Sequence, residues 1–175
     1  MDKHFELYSE ELPDVRLRTI SDIDLEKLRG WKNDHRESFF FKGIIAPADQ
    51  VKWFQGYLGR SHDYMFVVLF NGRALGCLGF RYIEQGVDIY NVILGIPEMR
   101  QKGLMGKALR MMCSYAQKEY PGAQGAKVLR SNPAVGWYQR NGFKIARFHE
   151  DHVDIELDQV TFKPCRLITS SFTDS

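Results

Sequence analysis

The chain has 175 residues, the span of a single domain. Apolar residues make up 44 %, charged residues 26 % and aromatics 13 %, the composition of a chain with a packed core. With 24 basic and 22 acidic side chains the formal charge is only +2. That argues against a general nucleic-acid or membrane-surface binder, since both usually need a strong basic field. Asp2, Lys3, His4 and Glu6 lead into no apolar stretch, so no secretory leader is expected. No run approaches the roughly 18 apolar residues of a membrane-spanning helix. Cys77, Cys113 and Cys165 are odd in number and widely spaced. They predict reduced, buried thiols in a cytoplasmic protein, not a disulfide framework or a metal site.

In chain order, residues 1–13 read as a loosely held extension and a first strand fits Val15 to Thr19. Ser21 and Asp22 carry helix N-cap chemistry, predicting a helix to about Gly30. Trp31 to Phe41 is aromatic and irregular. Pro47 opens a second helix whose apolar face is expected to hold Val51, Phe54, Tyr57 and Leu58. Met65 to Phe70 and Ala74 to Ile83 are strands joined by an Asn71-Gly72 turn. After Gln85-Gly86, Val87 to Ile96 is a further strand, closed by Pro97. Leu104 to Glu119 is an amphipathic helix with the stripe Met105, Ala108, Leu109, Met112 and Ala116. Ala126 to Leu129 is a short strand, and Ala134 to Asn141 a short helix with Gly142 in the C-terminal capping place. Phe143 to Phe148 and Val153 to about Phe162 are the last strands. This order predicts one mixed α/β domain over residues 14–165, with terminal extensions 1–13 and 166–175.

The segment richest in chemistry is Pro97 to Ala108. A strand ends, a glycine-containing loop crosses over, and the long helix begins. A helix N-terminus presents free backbone N–H groups and the positive end of the macrodipole, and glycine admits a close ligand approach. Together they suit a phosphate or pyrophosphate. Between residues 100 and 130 lie Arg100, Lys102, Lys107, Arg110, Lys118, Lys127 and Arg130 against the single acid Glu119. A Walker-type loop is ruled out because Gln101 stands where a glycine is needed and Ala108 where Ser or Thr is needed. The dinucleotide pattern Gly-x-Gly-x-x-Gly is absent from this segment.

Arg100-x-x-Gly103-x-Met105, followed by Gly106, resembles the acyl-CoA signature of the GNAT superfamily of N-acetyltransferases. Methionine stands where the usual pattern has Gly or Ala, as in branches whose loop reads Gly-x-Met. The later stretch Arg130 to Phe143 resembles the superfamily's Asn-x-x-Ala-x-x-x-Tyr-x-x-x-Gly-Phe motif. Ala134, Tyr138, Gly142 and Phe143 are in register. Ser131 falls at the asparagine position and Asn132 one residue later, so either can supply that contact to the CoA arm. The resemblance covers roughly Val15 to Phe162. It implies a single-domain GNAT fold: a mixed, mostly antiparallel central sheet of about six to seven strands flanked by helices. It also implies acetyl-CoA as cofactor. Its binding residues would be Arg100, Gln101, Lys102, Gly103, Leu104, Met105, Gly106 and Lys107, with Ser131, Asn132 and Tyr138. The strand residues Ile93, Leu94, Gly95 and Ile96 would pair with the pantetheine arm, and one of their N–H groups would polarise the thioester. Gly95 further fits a bulge or a close ligand approach.

By the same resemblance Tyr138 protonates the leaving thiolate, a task that an unperturbed pKa of about 10 suits. The attacking amine must lose a proton first. Asp88 is the leading base, with Glu84, Asp154 and His149 as further candidates. His149 and His152 frame Glu150-Asp151, which reads as a turn between the last two strands, with no metal expected. The acceptor side draws on Trp31, Asn33, Arg36, Phe40 and Trp53, an aromatic wall with polar anchors. This arrangement resembles the branch that acetylates nucleotide-linked amino sugars. The expected partner is a small-molecule amine, without nucleic acid or membrane, and the superfamily resemblance allows a homodimer without placing its interface. A protein N-terminal acetyltransferase and a non-catalytic acyl-CoA-binding module are the alternatives.

Overall fold

A computed structural model describes residues 3–172. Thirteen elements follow one another: β1 (Phe5–Tyr8), β2 (Val15–Thr19), α1 (Leu25–Asp34), α2 (Pro47–Gly59), β3 (Asp63–Phe70), β4 (Arg73–Ile83), β5 (Gly86–Leu94), α3 (Leu104–Glu119), β6 (Gln124–Leu129), α4 (Ala134–Arg140), β7 (Phe143–Phe148), β8 (His152–Leu157) and β9 (Ile168–Ser171). Single 3₁₀ turns at Asp22–Asp24, Arg36–Ser38 and Pro97–Met99 join some of them.

The strands form one nine-stranded sheet in the order β7-β8-β6-β5-β4-β3-β2-β1-β9. Every neighbouring pair is antiparallel except β5 and β6. Those two run parallel and meet only at Val87 with Gln124 and Asp88 with Gly125. Beyond Asp88 the outer edge of β5 has no strand partner among the described residues, so the sheet opens into a cleft there.

The α3 stripe packs as expected: Met105, Ala108, Leu109, Met112 and Ala116 are all buried. They belong to one core with Leu17, Phe66, Leu78, Phe80 and Ile155. A second core on the other face gathers Ile20, Leu28, Trp31, Phe54, Tyr57, Met65, Cys77 and Ile93. The three cysteines are free and buried.

Several expectations are corrected. The chain ends are built into the sheet: β1 pairs with β2 and β9, and Leu7 is fully buried. Lys3 donates to the carbonyls of Tyr57 and Asp63. Residues 1–2 and 173–175 of the expected extensions lie outside the described residues. These two strands, four residues each, explain why the sheet exceeds six to seven. The first helix runs through the aromatic segment to Asp34, four residues past Gly30. On α2 the buried face is Gln50, Phe54 and Tyr57, whereas Val51 and Leu58 are exposed. The strand before the loop stops at Leu94, not Ile96, and the last hairpin strand stops at Leu157.

Candidate active site

The opening between β5 and β6 is the mouth of a cleft of about 1220 Å³. Ile89, Tyr90, Val92 and Leu94 line it from β5, and Ala126, Lys127 and Val128 from β6. Arg100, Gln101, Gly103, Leu104, Met105, Gly106 and Lys107 close one end, with Asn132, Ala134, Trp137 and Tyr138 alongside. Two sequence motifs some 30 residues apart thus face one cavity. Lys102 is exposed beside it.

The loop before α3 turns through two left-handed residues, Gln101 (φ 63°) and Gly103 (φ 71°). Gly103 is the α3 N-cap, and a Cβ there would meet only open space. Its carbonyl accepts the Lys107 N–H, the first bond of the helix. The amides of Gly103, Leu104, Met105 and Gly106 therefore precede the helical ladder and are available to an anion. Arg100 and Lys102 add positive charge. Lys107 is already engaged by the Asp14 carboxylate, and Arg110 Nε donates 2.8 Å to the Lys163 carbonyl. Gly106 serves packing: a Cβ on it would fall 2.5 Å from Asn141 Oδ1. This cradle, with the unpaired edge of β5, fits the diphosphate and amide arm of a CoA thioester.

The strand residues separate. Leu94 lines the cleft, but Ile93 is buried on the opposite face. The N–H groups of Gly95 and Ile96 both donate to the Leu75 carbonyl, at 2.8 and 3.2 Å. They are spoken for within the fold. Gly95 is glycine because Trp31 lies against it. The irregularity in β5 is at Asn91 (φ 50°), opposite a register shift between Cys77 and Gly79.

Tyr138 is buried, with Trp137 and Phe143 packed edge-on at 5.0 and 5.3 Å. Burial, with a smaller effect of the neighbouring Cys113, raises its pKa above the ordinary tyrosine value, so the phenol keeps its proton. Asn132 rather than Ser131 borders the cleft. Asn132 Oδ1 accepts the Ala134 N–H at 2.9 Å, and Nδ2 donates 3.2 Å to the Ser38 carbonyl. Ser131 is exposed.

Of the four candidate bases, only Asp88 lines the cleft. It accepts a 2.9 Å hydrogen bond from Arg81 Nε. Glu84 sits in the β4–β5 turn with φ 48°. His149 Nε2 and Asp154 Oδ2 are bonded to each other at 2.8 Å in the β7–β8 hairpin.

A smaller cavity of about 380 Å³ adjoins the cleft and shares Lys32, Phe41, Arg81, Tyr90 and Asn91 with it. Trp53, Gln50, Asp49, Arg60 and Ile45 also line it. Among the residues expected here, Trp53 lines this cavity and Phe40 lines the cleft. Trp31 is a core residue. Asn33 clamps the loop instead, accepting the Ile45 N–H at 2.8 Å and donating 3.1 Å to the Ile45 carbonyl. Arg36 caps the same turn through the Asn33 carbonyl. Beneath the cavity, buried Asp63 accepts from Tyr90 Oη and from Arg60 Nε.

Sequence reasoning missed Lys32. Its ammonium donates to Asn91 Oδ1 and sits 3.3 Å above the Phe39 ring. Burial lowers its pKa to about 8, with the nearby Cys77 opposing slightly. A signal was present: Lys32 occupies the position four residues after Leu28 on the apolar stripe of α1, where a lysine is out of place.

A family model for the acetyltransferase (GNAT) domain matches residues 14–144. The chain belongs to the GNAT acetyltransferase family. It is an acetyl-CoA-dependent N-acetyltransferase. No curated protein matches it. Among solved structures, the aminoglycoside acetyltransferase AAC(6')-Ib with ribostamycin and coenzyme A aligns with a TM-score of 0.73 at 18 % identity, over 85 % of this chain and 96 % of that one. FdhC, described as a nucleotide-linked sugar GNAT, aligns at 0.71 and 13 % identity over 85 % and 89 %. The spermidine N-acetyltransferase of Vibrio cholerae, solved with CoA and spermine, aligns at 0.67 and 18 % over 82 % and 92 %. These likenesses establish the fold of the acetyltransferase. No described helix is long and apolar enough to cross a membrane.

Proposed function

We propose that the acetyltransferase acts on the amino group of a small, anionic acceptor, with an amino-sugar nucleotide as the leading candidate. The observation that carries this reading is Lys32. It is a largely buried ammonium at the junction of the two cavities, held by Asn91 and Phe39, and no described carboxylate pairs with it. A buried cation without a counter-charge is costly unless a ligand supplies one. Arg60 and Arg81 on the same wall are paired with Asp63 and Asp88, and Asp49 lines it too, so Lys32 is the cation there without a described carboxylate partner. Trp53 and Phe41 offer faces for a sugar or base. A cationic polyamine or aminoglycoside would meet like charge here.

The co-substrate supplies a thioester carbonyl open to attack. The chain's part is to hold and protonate. The α3 amides with Arg100 and Lys102 bind the diphosphate, and the free edge of β5 around Val92 and Leu94 pairs with the arm. Asn132 borders that arm. Tyr138 gives its proton to the departing sulfur, and Asp88 takes the proton that the acceptor ammonium must lose. Three buried thiols suit a reducing cytoplasm.

The test is mass-spectrometric acetyl transfer to pooled amines: amino-sugar nucleotides, N-terminal peptides, and polyamines with aminoglycosides. A product in the first pool, with a raised KM in Lys32→Met, supports the reading. A product only among the cationic amines or peptides overturns it.

A further inference from the structure

His149 and His152 come from a His-x-x-His pattern that the acetyl-transfer site does not use. The fold adds Asp154 to them. The two imidazole rings stack at 4.1 Å between centroids and 11° between planes. Each turns its Nε2 to a different oxygen of Asp154, at 2.8 Å from His149 and 3.8 Å from His152. The ligating atoms of all three lie within 4.8 Å of one another.

The state of His152 points to a ligand. Its Nδ1 is bonded to Asp151 Oδ1 at 2.5 Å. The ring's other nitrogen is Nε2, the atom turned to Asp154. That Nε2 is shielded from solvent and has no hydrogen-bond partner. It faces Asp154 Oδ1 at 3.8 Å, an oxygen that also lies 3.3 Å from Lys127 Nζ. A metal cation held between them would give the unpartnered Nε2 a partner. The carboxylate–imidazole–metal relay, in which an outer carboxylate fixes the ring and raises its basicity, has this form.

We propose that His149, His152 and Asp154 bind a divalent transition-metal ion of the zinc class at the β7–β8 hairpin, with Asp151 as the outer carboxylate that orients His152. Two imidazole nitrogens and one carboxylate oxygen suit zinc, and its lack of a geometric preference tolerates a site completed by water. Ligand bonds of about 2 Å need the three atoms, which lie within 4.8 Å of one another, to adjust their separations around the ion. The three side chains are 17–30 % exposed. The hairpin is firm beneath them: the His149 N–H donates to the His152 carbonyl, and the Arg130 N–H to the Asp151 carbonyl. Lys127 Nζ, 3.3 Å from Asp154 Oδ1, is the competing cation. The Phe40 ring meets His152 edge-on at 5.4 Å, so the site borders the loop that rims the cleft.

The experiment is a calorimetric titration of untagged, chelator-stripped full-length protein with Zn²⁺ alone, repeated with Co²⁺ to read its visible absorption. We expect saturable binding of one ion per chain, lost in His149→Ala and His152→Ala and kept in His62→Ala. Asp151 is 67 % exposed, so Asp151→Asn leaves the fold intact. If Asp151 orients the ring, that variant weakens binding by about 10- to 100-fold. Absence of a one-to-one isotherm overturns the proposal. So does binding indifferent to Asp151→Asn, which would mark an adventitious pair of surface imidazoles.

Discussion

The indole of Trp31 lies against the backbone of Gly95 so closely that a Cβ on residue 95 would fall 2.0 Å from Cε2 of that ring. The contact joins α1 to the end of β5, immediately before the phosphate cradle. Gly95→Ala is expected to lower stability by about 1–3 kcal/mol, the range for overpacking a filled site. Thermal unfolding measures it. A variant as stable as the parent would mean that the indole can move aside.

Tyr138→Phe removes only a hydroxyl from a ring wedged between Trp137 and Phe143, so the fold should survive. If the phenol protonates the leaving sulfur, kcat should drop about 100-fold or more while KM for acetyl-CoA changes little. Thiol release with any identified acceptor reads this. Undiminished turnover would assign Tyr138 to packing alone.

Gly103 combines a positive φ with open space around its missing side chain. Gly103→Glu puts a carboxylate at the helix end proposed to hold the diphosphate and strains the turn. Calorimetry should detect no acetyl-CoA binding, while circular dichroism stays that of a folded protein. Normal affinity would refute the cradle.

Asp88 and Arg81 share one hydrogen bond at the point where β5 and β6 part. Asp88→Asn should cut kcat more than KM, because binding of acetyl-CoA depends on other residues. A change in KM alone would make Asp88 a positioning group acting through Arg81.

Burial holds Lys32 at about 8, against 10.5 for a free lysine. Lys3, also desolvated, lies at about 8 as well. Between pH 8 and 10.5 the unfolded chain binds more protons at these sites than the folded one, so stability rises with pH across that window. The cost of burying each charge is present in full below pH 8 and relieved above it. Lys32→Met should therefore flatten the dependence of the melting temperature on pH between about 8 and 10.5. A slope equal to the parent's would contradict the burial of that charge.

Much of the turn before α3 was legible because its parts are adjacent in the chain. Arg100, Gly103 and the start of α3 form a cradle through local geometry: a helix N-terminus and a left-handed glycine are contiguous features. The stripe from Met105 to Ala116 was legible for the same reason, since a 3.6-residue period records which face is buried. The acceptor side was not. Trp31 and Asn33 looked like ligand groups, yet one fills the core behind Gly95 and the other clamps Ile45. Their surroundings come from distant segments.

By itself, the sequence determined the helix and strand periodicities, the glycine turn before α3 and the spacing of Tyr138 from it. Only the tertiary structure decided that Lys32 meets Asn91, that Asn132 reaches Ser38, and that Phe5–Tyr8 and Ile168–Ser171 join the sheet. The reason is physical. Pairings across dozens of residues depend on which strand edges stay open and which side chains the packed layers bring together. Four-residue strands carry too short an alternation to announce their partners.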